Sequence, residues 1–149
     1  ENLDRYFYLT REILIQGDDL ESNLSEASKA MLDRIGHLSA PLVPRVVNDM
    51  RQMNSSDLDD VMAIIIKRIE KGNIESYFYA SLFKEFTDYR RDIIDGILKD
   101  ESKIEPSQLP SLKSMYTADQ AITSELLDKL LSDKRITQAV IKKIKDVNK

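Results

Sequence analysis

Four carboxylates lie along one side of a helix predicted near the middle of the chain. Their spacing of i, i+3, i+7 and i+10 places them on one helical face, and they are Glu85, Asp88, Asp92 and Asp95. Carboxylate oxygens are ligands that Mg²⁺ prefers, and paired carboxylates can hold the ion against a diphosphate. Arg90 and Arg91 flank the stripe, so a solvated face with ion pairs also explains it. A divalent-metal or phosphate site is therefore the weaker alternative.

The chain offers few other groups that could carry out a reaction. It has no cysteine and one histidine, His37, which lies near the end of a predicted helix. A histidine there more often complements the negative end of the helix dipole than acts as a base. The sequence contains no second histidine for a metal pair, no nucleophile elbow and no glycine loop for phosphate. We therefore expect no cofactor and no catalytic centre.

The segment 133–149 is the basic part of the chain, with six Lys/Arg and two Asp. As a helix it would place apolar residues on one side and basic residues on the other. Together with the helix before it, this segment would form a helix–turn–helix, in which Thr137 and Gln138 could reach bases. The candidate nucleic-acid-binding residues are Lys134, Arg135, Thr137, Gln138, Lys142, Lys143, Lys145 and Lys149.

The elements that would carry these residues are all helical. Apolar positions recur every three or four residues and alternate nowhere, which predicts an all-α fold. Six of the ten aromatic residues fall within residues 73–99, and aromatic side chains bury the most area. We therefore expect one long aromatic helix over 73–99 at the centre of a helical bundle of about five helices.

Three parts follow along the chain. Residues 1–100 form the bundle, and residues 101–115, which are polar and contain two prolines, form a linker. Residues 116–149 form a two-helix hairpin that is docked on the bundle or tethered to it.

Several local signals predict where individual helices begin and end. The first helix is expected over about residues 2–16, and the second begins near residue 18. Residues 54–57 are expected to cap the fourth helix, which runs from Leu58 to Lys71 and ends at Gly72, and Asn73 caps the aromatic one. Thr117, with a glutamine three residues later, has the capping-box spacing that would open the hairpin.

Part of the aromatic helix points away from its inner face. Tyr79, Phe83 and Ile94 lie on this flank and require a second layer of helices to cover them. If no neighbour covers them, they form an exposed apolar surface, which is then the first candidate for a partner-binding site.

Residues 2–8 and 73–79 share the pattern N-[LI]-[DE]-x-Y-F-Y. An asparagine, an apolar residue and an acid are common at helix starts, but the Tyr-Phe-Tyr triplet is not explained in that way. Coincidence is the preferred interpretation, and an old duplication stays open.

The composition is that of an ordinary globular protein, with 149 residues, 42% hydrophobic and 32% charged. A net charge of −4 argues against wholesale nucleic-acid binding. No apolar run approaches the roughly 20 residues of a membrane span. We expect a cytoplasmic or nuclear protein without membrane contact, and the first residue, Glu1, indicates a trimmed chain or a fragment.

These observations favour a non-catalytic helical interaction or assembly module in a multi-protein complex. The expected partner is another protein or a second copy of the chain. The alternative is a nucleic-acid-binding protein that uses the basic C-terminal helix.

Overall fold

The computed structural model describes residues 23–146, and in that range it contains eight α-helices and no strand. The all-α prediction is confirmed. The helices, numbered in chain order, are α1 (Glu26–Gly36), α2 (Val43–Arg51), α3 (Ser55–Glu70), α4 (Ser76–Glu85), α5 (Arg90–Lys99), α6 (Leu109–Ala118), α7 (Gln120–Ser132) and α8 (Gln138–Lys145). The helix predicted over residues 2–16, and the first copy of the Tyr-Phe-Tyr pattern, lie outside the described residues.

The eight helices stack in two layers. In the first layer α1 packs on α3, α3 on α5 and α5 on α7, and in the second α2 packs on α4, α4 on α6 and α6 on α8. Contacts between the layers join α1 to α2, α4 to α5 and α6 to α7. Most helices therefore pack chiefly against a helix two positions away in the chain, although α7 contacts α6 more extensively than α5. The stacking of helical pairs one after another is typical of solenoid proteins.

One continuous apolar core lies between the two layers and receives residues from all eight helices. Met62, Leu82, Ile93, Leu112 and Leu126, on five successive helices, are completely inaccessible to solvent. Because every helix contributes to the same core, no helical pair has to bury its apolar side alone.

The aromatic segment 73–99 does not form one long helix, which corrects the sequence-based expectation. The helix ends at Phe86, whose φ of −112° and ψ of 80° are not helical, and a short 3₁₀ turn precedes α5. Arg90 satisfies two carbonyls at the break, since its Nε donates to Phe83 O at 2.7 Å and its Nη2 to Lys84 O at 3.2 Å. The break allows α4 and α5 to enter different layers, so that both halves of the segment face the core.

Asn73 belongs to the end of α3 and does not cap α4. Gly72 has a φ of +73°, and the N–H groups of Gly72 and Asn73 both donate back to carbonyls in the last turn of α3. This hydrogen-bond pattern requires a left-handed residue, and glycine adopts that conformation without strain. The predicted end of α3 at Gly72 is confirmed. The helix begins at Ser55, three residues before the predicted start at Leu58, because Asn54 is its N-cap and Asn54 Oδ1 accepts a hydrogen bond from the N–H of Asp57 at 2.8 Å.

Two other predicted helices begin elsewhere in the described residues. Helix α1 begins at Glu26 with Ser25 as its N-cap, so the predicted second helix is not continuous through residues 23–25. Its expected start near residue 18 lies outside the described residues. Thr117 lies inside α6, and Asp119 caps α7 by accepting a hydrogen bond from the N–H of Ile122. Ser25 and Asp119 both have extended backbone conformation and a side-chain oxygen that accepts from the first turn of the helix, which is what an N-cap requires.

The stretch predicted as a linker, residues 101–115, includes most of α6. Leu112 and Met115 of that helix are fully buried, and the N–H of Ile104 donates to the carbonyl of Arg135 at 3.1 Å. The division of the chain into a bundle and a separate hairpin stays a prediction. In the described part of the chain, no helix is long and apolar enough to cross a membrane.

Candidate functional site

The aromatic flank is not a free surface. Tyr79 is 4% exposed, Phe83 is completely buried and Ile94 is 1% exposed. Packing of α4 on α6 and of α5 on α7 supplies the second layer that these side chains required. The condition under which they would form a partner-binding surface is therefore not met.

The acidic stripe is divided by the break at Phe86. Glu85 ends α4 and forms an ion pair with Arg51 of α2, whereas Asp92 and Asp95 are exposed on α5. Asp88 lies in the short turn between them. Within residues 23–146 no three acidic or histidine side chains converge in a way that could hold a metal ion.

Arg135 lies in the turn between α7 and α8, where it is hydrogen-bonded to the backbone of α5 and of the loop that follows α5. It is only 8% exposed, and its guanidinium donates to three backbone carbonyls, those of Ser102 at 2.6 Å, Ile97 at 3.1 Å and Leu98 at 3.3 Å. Two of these carbonyls are in the last turn of α5, where the helix dipole favours a cation. Burial lowers the pKa of Arg135, and the nearby carboxylate of Asp100 opposes that shift.

The other residues of the predicted nucleic-acid-binding set lie in and around α8. Thr137 is the N-cap of that helix, and its Oγ1 accepts from the N–H of Val140 at 3.3 Å. Lys134 takes a φ of 60° in the turn, the left-handed position that glycine often occupies. Lys149 lies outside the described residues. The exposed members of the set are Lys134, Thr137, Gln138, Lys142, Lys143 and Lys145.

A cavity of about 430 Å³ opens at one edge of the stack, where the α3–α4 loop, the α5–α6 loop and the α7–α8 turn meet. Its polar lining includes Tyr79, Asp100, Gln108 and Arg135. Gln108 Nε2 donates to the hydroxyl oxygen of Tyr79 at 3.3 Å, and burial raises the pKa of Tyr79, so the phenol stays protonated at neutral pH.

This cavity is large enough for a small polar molecule. Its most basic group, Arg135, is already bonded to carbonyls, and Tyr79 is a neutral phenol, so neither is poised as a base or a nucleophile. No local spacing pattern could have revealed it, since its residues come from three separate stretches of the chain.

The two layers differ in charge. The four helices of the first layer contain eight Lys/Arg and ten Asp/Glu. Those of the second layer contain seven Lys/Arg and only two Asp/Glu. Both acids of the second layer are in ion pairs, Asp49 with Arg34 at 2.8 Å and Glu85 with Arg51. The four helices of the second layer therefore carry a net positive charge, although the net charge of the whole chain is −4.

A shallow groove lies between α1 and α2 at one end of the stack, with a volume of about 530 Å³. Leu42, which is 48% exposed, is the one large hydrophobic side chain that is exposed among the described residues. Leu38 and Val46 complete the apolar floor, and charged side chains, among them Arg45 and Asp49, form the rim.

Comparison with family models, with curated proteins and with solved structures finds no match for this chain.

Proposed function

We propose that the chain is a non-catalytic helical interaction module that works by binding another protein within a larger assembly. The observation that supports this proposal best is the stacking of helices in two layers, each packed chiefly on its neighbours. Such a stack has two broad outer surfaces, and proteins built in this way use such surfaces for binding.

The use of the polar side chains also supports a binding role. Arg135 bonds three carbonyls, Glu85 is paired with Arg51, and the hydroxyl of Tyr89 donates to Asp59. These polar groups are bonded within the fold and stabilise the stack. The functional part of the molecule is therefore proposed to be its outer surface.

The groove between α1 and α2 is the part of this surface best suited to a protein partner. An apolar centre surrounded by charged groups is the usual composition of a protein–protein interface. Leu42 would occupy the centre, and the ion pair between Arg34 and Asp49 lies on the rim.

The test is affinity capture from nuclease-treated extract of the producing cell, with the wild-type protein and Leu42→Asp compared by quantitative mass spectrometry. Leu42 is half exposed, so the substitution should leave the fold intact, which circular dichroism would check. Ala121→Asp, at an exposed position of α7, is the matched control. We expect a protein that is retained by the wild type and the control and is lost with Leu42→Asp. Equal retention by all three, or retention of no protein, would contradict the proposal.

Nucleic-acid binding through the last helix is the second candidate function. Lys142, Lys143 and Lys145 are exposed on α8, and none forms an ion pair with another described residue. Changing all three to Glu should abolish retention on a nucleic-acid column at low salt, because phosphate contacts dominate such binding. A wild-type protein that is not retained at low salt would end this candidate.

A further inference from the structure

We propose that the outer surface of the second layer is one continuous basic track that binds the phosphate backbone of a single-stranded nucleic acid. The track crosses α2, α4, α6 and α8 and so extends well beyond the last helix. This inference rests on the proposed role as a binding module, and it adds a second ligand on a surface that shares Arg45 with the rim of the groove at Leu42.

Each helix of the second layer contributes at least one basic side chain to this track. Arg45, Lys84 and Lys142 are exposed on α2, α4 and α8, and Lys113 is partly exposed on α6. Among the described residues, none of these four has a carboxylate partner, so each is available to an anion from outside.

The buried residues of each helix fix the direction of its basic side chain. In α2 the buried positions Val43, Val46, Val47 and Met50 leave Arg45 on the opposite side of the helix. In α6 the buried residues Leu112 and Met115 mark the inner side of the helix, and Lys113 lies away from that side. Lys113 is partly exposed, whereas Arg45 is exposed. The basic groups therefore point outward from the layer.

The spacing suits a ligand that carries many negative charges in a row. Packed helices lie about 8–10 Å apart, so a ligand that runs across the layer meets another helix with a basic side chain at each step. A single anion would contact one helix only, whereas an extended polyanion can contact all four.

A single strand fits this surface better than the alternatives. Tyr77 on α4 and Tyr116 on α6 pack against the core and are only partly buried, so the exposed part of each side chain lies in the same layer as the basic groups. Aromatic side chains in a basic groove are a common feature of proteins that bind single strands. A membrane surface would require exposed apolar side chains, and Leu42 is the one large example among the described residues. The acids of the first layer lie on the other side of the stack and do not oppose binding to the second.

The test uses fluorescence anisotropy with a labelled oligouridine as the probe. One variant carries Arg45→Glu, Lys84→Glu and Lys113→Glu, all remote from α8. A matched control carries Lys29→Glu, Lys99→Glu and Lys129→Glu, the same change of charge on exposed positions of three first-layer helices. A third variant changes Lys142, Lys143 and Lys145 to Glu.

We expect the wild-type affinity to fall steeply with salt, and the remote second-layer variant to bind at least about tenfold more weakly with a shallower salt dependence. The first-layer control should stay within about threefold of the wild type, since its charges do not contact phosphate. The corresponding Lys→Gln and Arg→Gln variants repeat the comparison if a charge reversal unfolds the protein.

Three outcomes would overturn the inference. If the remote variant binds like the wild type and only the α8 variant loses affinity, the last helix acts alone and the second candidate function stands. If the wild type does not bind oligouridine at low salt, the track does not exist, while capture through Leu42 remains a separate result. If a polyglutamate peptide binds as tightly as oligouridine, the surface recognises acidic protein segments instead.

Discussion

Replacing Arg135 by Met should destabilise the fold by about 3–5 kcal/mol, because a buried charged group that bonds several partners is removed. The guanidinium donates to the carbonyls of Ile97, Leu98 and Ser102, and hydrogen bonds to a charged group contribute about 1.5–3 kcal/mol each. Three such bonds would together contribute about 4.5–9 kcal/mol, most of which lies above the expected value. The free-energy cost of burying the cation offsets part of the contribution of these hydrogen bonds. The same burial lowers the pKa of Arg135.

The measurement is urea unfolding followed by circular dichroism. Arg91→Met is the matched control, because Arg91 pairs with Glu125 at 2.6 Å but both side chains are more than half exposed. This control should lose at most about 1 kcal/mol. Arg135→Lys should lose most of the same stability as Arg135→Met, since an ammonium group cannot reproduce the forked contact with three carbonyls.

A loss of stability for Arg135→Met no larger than that of Arg91→Met would refute this reasoning. It would mean that the three carbonyls find water as readily as they find the guanidinium. Arg135 would then return to the set of surface residues available to a nucleic acid.

Three further predictions concern Thr123, Gly96 and Tyr89. Thr123→Val should stabilise the fold by about 1 kcal/mol in urea unfolding, since the buried Thr123 Oγ1 has no hydrogen-bond partner among the described residues. Gly96→Val should cost about 1–3 kcal/mol, because a Cβ there lies 3.3 Å from Ile69 Cγ2. Gly36→Ala, which meets no atom within 4 Å, should instead gain up to about 1 kcal/mol as the control. Burial, with the hydrogen bond to Asp59, raises the pKa of Tyr89 from 10.0 to about 12. Stability from Tyr89 is therefore present below pH 10 and lost as the pH rises towards 12, and Tyr89→Phe should flatten this decline in unfolding measured across that range.

Each of these has a clear contrary result. A destabilised Thr123→Val would show that the hydroxyl has a partner, and Thr123→Ser, which keeps the hydroxyl, separates that effect from packing. Equal responses at Gly96 and Gly36 would show that α3 and α5 can move apart at no cost. An identical decline with pH in the wild type and Tyr89→Phe would mean that Tyr89 does not titrate in the folded state as described.

The helical class and several helix ends could be predicted from the sequence, because they depend on residues within one turn of one another. The spacing of apolar residues predicted helices throughout, and the cap at Asn54 and the glycine end at Gly72 are confirmed. The break at Phe86 was not readable, since the residues around it have helical periodicity on both sides. What stabilises the break is Arg90 bonding freed carbonyls, together with neighbouring helices that bury both halves.

Only the tertiary structure decided which of the charged and aromatic residues are available. The carboxylates of the predicted stripe, the aromatic flank and the basic C-terminal segment all have convincing helical spacing. In the structure the acidic stripe is divided between two helices and the turn that joins them, and the aromatic flank is buried. Arg135 of the basic C-terminal segment is hydrogen-bonded to backbone carbonyls. Periodicity shows which side of a helix is apolar, but it does not show which helix will cover that side, because that contact joins residues far apart in the chain.

The sequence and the tertiary structure therefore each determined a different part of the candidate sites. By itself the sequence determined the all-α class, several helix ends and a basic C-terminal segment, since these follow from local spacing and side-chain type. The tertiary structure decided that helices two positions apart stack into layers, that the basic groups of four helices share one outer surface, and that Leu42 remains exposed. The physical reason is that burial in a stacked fold depends on the packing between helices, which no single stretch of sequence contains.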